Sequence, residues 1–153
     1  MVLKYKEVKM GRISTACYPC NIETFGITNC VGLGILNHKL RKGYVGHHFP
    51  LVKTPEELID RALREAKNIG DLEIALAGNI PLSKEITKIG GVDFRENLES
   101  YREHKRWLLE MVKRKGINLS RIQDHLQTFP SRNDYALIVD TTKRIIVVKK
   151  ESY

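Results

Sequence analysis

Cys30, His47 and His48 are the residues of this 153-residue chain whose types and spacing best fit chemistry. Cys30 heads the run CVGLGIL, residues 30–36, which is short, apolar and read as a buried strand. Residues 37–42 are polar and turn-like, and residues 43–49, GYVGHHF, return as the partner strand. That fold-back carries Gly46, His47 and His48 towards the head of the first strand. A thiol within reach of an imidazole is the minimal activated nucleophile. Alone, a thiol of pKa about 8.5 is only a few per cent thiolate at neutral pH. Pairing with histidine raises that population and supplies the acid that protonates a departing amine. The stretch GITN, residues 26–29, is small and polar and offers backbone N–H groups to a developing oxyanion. The competing reading of Cys30 is a plain buried thiol acting as a small hydrophobe.

A second pair, Cys17 and Cys20 in CYPC, has the spacing of a redox couple or of half a zinc site. A redox couple wants the N-terminus of a helix, and residues 21–25 do not open a helical pattern. Zinc needs two further ligands, which only tertiary proximity to His47, His48 or Cys30 would supply. Structural or incidental thiols are the simpler reading.

Composition bounds these choices. The chain has the length of one domain, residues 1–153, and its 42% hydrophobic and 29% charged residues are those of a globular protein. No apolar run is long enough for a membrane-spanning helix, and the first residues, MVLKYKEVKMGR, lack the apolar core of a secretion signal. A cytoplasmic location is therefore expected, and with three cysteines a disulfide framework is not. The net charge of +8 favours acidic partners, nucleic acid among them. Yet the basic residues are interleaved with Glu, as on a solvated face, so nucleic-acid binding is not the leading expectation.

The surrounding elements must hold the thiol and the imidazoles in place. Residues 2–8 and 11–16 read as short strands. Thr54-Pro55-Glu56-Glu57 starts a helix, with apolar Leu58, Ile59, Ala62, Leu63, Ala66 and Ile69 at helical spacing up to Gly70. Residues 71–77 alternate as a strand, residues 83–89 form a short helix, and Asp93 caps a longer one reaching about Lys115. Three more strands are expected over residues 118–126, 135–140 and 144–150, the last two as a hairpin. Strands at both ends with helices between predict an α+β arrangement.

Several of these segments together resemble one family. Thr24-Phe-Gly-Ile-Thr-Asn-Cys30 is similar to the T-L-G-x-G-S-C segment of the chemoreceptor glutamine deamidases, the CheD family. Gly43-Tyr-Val-Gly-His47-His-Phe-Pro50 is similar to their histidine segment, G-x-M-x-H-x-x-L-P, and the 17 positions from Cys30 to His47 match its spacing. Because Pro50 falls one place early, His48 remains an alternative to His47. Residues 72–78, LEIALAG, resemble the family's strand ending in A-G-G, and residues 135–150 resemble its terminal hairpin.

The resemblance implies a compact three-layer α/β sandwich with mixed β-sheets and two main helices. It implies a cysteine hydrolase that converts protein-bound Gln to Glu on chemoreceptors or related signalling proteins, without metal or organic cofactor. Cys30 would be the nucleophile, His47 the base, and Thr24 the residue that orients the imidazole. Backbone N–H groups near Asn29 and Cys30 would hold the oxyanion, and the thiol would titrate well below a free one. Two other readings stand beside it. One is a non-catalytic binding module of the same fold. The other is a basic RNA- or zinc-associated module using Cys17, Cys20 and His48.

Overall fold

The computed structural model describes residues 4–27, 30–49, 54–81, 94–131 and 133–152, with the side chains at 79–81, 94–98, 100, 128–131, 133 and 151–152 left aside. The expected short helix at 83–89 and the Asp93 cap lie outside the described residues. Nine strands and two helices follow in the order β1 (Lys4–Glu7), β2 (Arg12–Cys17), β3 (Cys20–Ile27), β4 (Val31–Asn37), β5 (Lys42–His48), α1 (Thr54–Glu65), β6 (Leu72–Pro81), α2 (Phe94–Arg114), β7 (Ile122–Ser131), β8 (Asn133–Asp140) and β9 (Ile145–Ser152) among the described residues.

The strands make two mixed sheets, one of five in the order β2-β5-β4-β6-β7 and one of four in the order β1-β3-β8-β9. Pairs β1–β3 and β6–β7 are parallel, and the other neighbours run antiparallel. One core packs both helices on the five-stranded sheet through Leu58, Ile59, Ala62, Tyr101, Leu108, Met111 and Val112. A second core fills the space between the sheets with Ile22, Ile27, Leu36, Val45, Ala75, Leu137 and Val139. The expected α+β three-layer sandwich is therefore the architecture observed, with helices, five strands and four strands stacked in that order.

Strand β4 is the centre of this stack and is buried along its whole length. Because side chains alternate, Val31, Leu33 and Ile35 meet the helix layer while Gly32, Gly34 and Leu36 face the other sheet. The sequence pattern suggests close approach of a backbone or substrate at these glycines. The structure places side chains there instead. A Cβ on Gly34 would stand 2.5 Å from Leu137 Cδ2, and one on Gly32 would stand 2.5 Å from Ile27 Cδ1.

Helix α1 begins as read, with Pro55 in its first turn, and buries Pro55, Leu58, Ile59 and Ala62 at spacings of three and four. Each large aliphatic side chain so buried contributes about 1.5–3 kcal/mol. The helix stops at Glu65, four residues short of the expected Ile69. Glu65 accepts from Lys42 Nζ at 2.6 Å and Tyr44 Oη at 3.2 Å, which fixes the helix end on β5. Asn68 then adopts an extended backbone and caps a 3-10 turn at Ile69–Asp71.

Residues 20–27 form β3, which the sequence pattern did not single out. Residues 119–121 form a 3-10 turn rather than the start of a strand, and β7 runs on to Ser131.

Candidate functional site

Strands β4 and β5 pair with Gly32 opposite His47 and Val31 opposite His48. Residues directly opposite share a face, so His47 looks between the sheets and His48 looks at the helices. Cys30, one residue ahead of β4, lies two positions from Gly32 and belongs to the core between the sheets. Cys30 and His47 are thus diagonal neighbours on one sheet face, a relationship that sets Cα atoms about 7–8 Å apart.

Thr24 reaches the same space from the other sheet. Its Oγ1 donates to the Val8 carbonyl at 2.7 Å and lies 2.8 Å from His47 Nδ1. The hydroxyl has one proton, already committed to Val8, so it accepts from Nδ1–H. The imidazole is thereby held as the tautomer whose Nε2 carries the lone pair. Among the described residues that Nε2 is buried and makes no hydrogen bond, to the Cys30 sulfur or to any other atom.

A bulge explains how β3 delivers Thr24. Thr24 pairs with Leu137 and Ile27 with Tyr135, so three residues of β3 advance against two of β8. Gly26 supplies the left-handed backbone at φ 65° that this extra residue needs, and Phe25 is turned out to solvent. The pairing of β6 with β7 also becomes irregular beyond Gly78, at the same end of the molecule.

Burial sets the electrostatics. Cys30 is 4% exposed and its thiol is pushed up to about 11 by desolvation, not lowered as the activated-thiol reading expects. Desolvation also lowers His47, which is 3% exposed. Both groups rest neutral at pH 7, a thiol and a free imidazole base. Among the described residues no carboxylate partners His47, and its bond to the Thr24 hydroxyl is too weak to draw a proton onto the ring.

His48, the alternative base, is engaged elsewhere. Its Nε2 lies 3.1 Å from Nε2 of His104 on α2, with the rings edge to face, and its Nδ1 is buried with no partner among the described residues. The sheet separates it from the face that carries Cys30.

Cys17 and Cys20 flank the turn between β2 and β3, the first exposed and the second half-buried, both free thiols. Along β2, Cys17 stands opposite Lys42 whereas Arg12 stands opposite His47, five residues or roughly 17 Å apart. The zinc reading that borrows His47, His48 or Cys30 is therefore corrected. Among the described residues, no group of three His, Cys, Asp or Glu side chains converges as a metal site. The CYPC turn does not lie at a helix N-terminus, which removes the dipole that a redox couple needs.

Asn29, expected beside the oxyanion, lies outside the described residues. An open hollow of about 300 Å³ lined by His38, Leu72, Glu73 and Arg121 sits at the far end of β4 and β6. There His38 and Gln123 both bind Glu73 at 2.9 Å, an arrangement that ties neighbouring segments together.

Sequence reasoning did not find Tyr101, which donates from its hydroxyl to the Cys30 carbonyl at 2.7 Å. It belongs to the core that packs α2 on the five-stranded sheet, and no local pattern ties it to residue 30. Among the described residues, no helix is long and apolar enough to cross a membrane. In comparisons with known proteins, the sequence matches no family model and no curated protein.

Proposed function

We propose that the chain is a cysteine-dependent amidohydrolase of the protein-glutamine deamidase type, with Cys30 as nucleophile, His47 as base and Thr24 as its orienting partner. The observation that carries this reading is the bond from His47 Nδ1 to Thr24, which leaves an unpartnered Nε2 on the face that holds Cys30. The resemblance to chemoreceptor deamidases supplies the substrate class, a side-chain carboxamide on a chemoreceptor or related signalling protein.

In this mechanism Nε2 takes the thiol proton as sulfur attacks the carboxamide carbon. The imidazolium then gives that proton to the departing nitrogen, so ammonia leaves and a thioester remains. Water, deprotonated by the same Nε2, attacks the thioester carbon. The C–S bond breaks, the sulfur recovers its proton, and glutamate is released. Throughout, Thr24 accepts from Nδ1–H and passes part of the positive charge to the Val8 carbonyl. Because thiol and imidazole begin neutral, proton transfer accompanies attack rather than preceding it. Approach of Sγ to Nε2 requires movement of the Cys30 side chain from its resting position.

Ammonia release from N-carbobenzoxy-glutaminyl-glycine tests the reading. Wild-type protein releases ammonia, whereas Cys30→Ala and His47→Ala do not, with unchanged circular dichroism. Equal release by all three overturns it. The burial of Cys30 favours one competing reading, a non-catalytic binding module of the same fold. That module would show no release and would retain partner binding in Cys30→Ala.

A further inference from the structure

We infer that Tyr101 is a positioning residue for Cys30, and that Gly78 is the gap that admits its hydroxyl; the inference rests on the cysteine-hydrolase reading. Three groups meet at one point between α2, β4 and β6. Tyr101 Oη donates to the Cys30 carbonyl at 2.7 Å. Gly78 stands opposite Val31, directly beside that carbonyl. A Cβ on Gly78 would fall 2.0 Å from Tyr101 Oη and 2.7 Å from the Cys30 oxygen. Leu126 Cδ1 would stand 2.7 Å away as well, so a side chain at residue 78 would press on the hydroxyl, on the carbonyl that accepts from it and on Leu126, and glycine is demanded by this close approach.

The geometry has a consequence for the thiol. Cys30 precedes β4 at a bend, where regular pairing with both neighbours begins only at Val31. Its peptide is thus the first in the strand without two flanking ladders to hold it. Tyr101, fully buried on the helix side, fixes the carbonyl towards the helices. The Cys30 side chain packs on the opposite side, between the sheets, on the face that His47 also occupies, and a fixed carbonyl limits the backbone rotation that would swing it away. A residue on the helix layer thereby sets the aim of a nucleophile on the other face of the sheet. An apolar ring at residue 101 would fill the same volume without doing this.

Alkylation by iodoacetamide provides the test, in protein carrying Cys17→Ser and Cys20→Ser so that Cys30 is the sole thiol. The rate is followed against pH in that protein, in Tyr101→Phe, in Gly78→Ala and in His47→Ala, with melting and circular dichroism on each sample. Tyr101→Phe is expected to melt as a folded protein, to alkylate about tenfold to a hundredfold more slowly at neutral pH, and to lose the inflection contributed by His47. Gly78→Ala, whose methyl would crowd both the hydroxyl and the Cys30 carbonyl, is expected to show at least the same loss. A folded Tyr101→Phe or Gly78→Ala with the wild-type profile, or a faster one, overturns the positioning role. If that happens while His47→Ala abolishes the inflection, only the positioning role fails. If His47→Ala also keeps the wild-type profile, the hydrolase reading fails and takes the positioning role with it.

Discussion

Thr24 Oγ1 lies 2.8 Å from His47 Nδ1 and gives its own proton to the Val8 carbonyl, so two hydrogen bonds decide which imidazole nitrogen is basic. Thr24→Val removes the acceptor and leaves both Nδ1–H and the Val8 carbonyl without this partner in a buried place. The expected loss of stability is about 1–3 kcal/mol. Ammonia release is expected to fall about tenfold or more, since the ring is no longer aimed. Thr24→Ser keeps the hydroxyl and is expected to retain most activity. Denaturant unfolding and initial rates measured on the same preparations check both statements.

The His48–His104 pair predicts an acid-sensitive fold. Desolvation lowers both imidazoles, and His48 is lowered further by His104 and His47 beside it. In the unfolded chain histidines titrate near 6.5, so below that pH the unfolded state binds protons that the folded pair refuses. Stability is therefore complete above about pH 6.5 and declines as pH falls below it. The melting temperature is expected to drop through this range, and to drop less steeply in His48→Leu/His104→Leu. An identical slope in that variant contradicts the assignment.

Gly34 predicts where the sandwich has no spare room. Gly34→Ala puts a methyl 2.5 Å from Leu137 Cδ2, between two sheets that cannot part without opening their shared core. The expected cost is about 1–3 kcal/mol in urea unfolding. Combining it with Leu137→Val is expected to restore part of the loss, because the two side chains compete for one space.

Cys17→Ser/Cys20→Ser is expected to leave ammonia release and metal content unchanged, since both thiols flank the β2–β3 turn, at the end of β2 remote from the Arg12–His47 pairing. Elemental analysis of the wild-type protein is expected to find zinc well below one per chain. Stoichiometric zinc lost in this variant contradicts that placement.

The sequence made some of this legible and concealed the rest for physical reasons. The β4–β5 hairpin and α1 were readable because an apolar run, a polar turn and a Pro-Glu-Glu helix start are local signals. Strand β3 was not readable, since the bulge at Gly26 breaks its alternation and places Phe25 outside while Asn21 is buried. Cys30 and His47 stood out by residue type and spacing. Which of His47 and His48 shares a face with Cys30 needed the strand register, because one residue's shift moves a side chain to the other face. The neutral state of the thiol was hidden for a related reason. A local pairing of Cys and His suggests an ion pair, but burial on the inner sheet face opposes both charges. Contacts as remote in sequence as Tyr101 to Cys30 leave no local pattern at all.

The pH dependence of Cys30 alkylation, with and without His47, tests the central pairing most directly. Burial pushes the Cys30 thiol up to about 11 and lowers the imidazole below its usual 6.5. If Nε2 takes the thiol proton, wild-type protein alkylates at neutral pH with a rate that rises through the depressed His47 pKa, and His47→Ala reacts only as the thiol itself ionises at alkaline pH. Superimposable profiles for the two proteins would contradict the pairing.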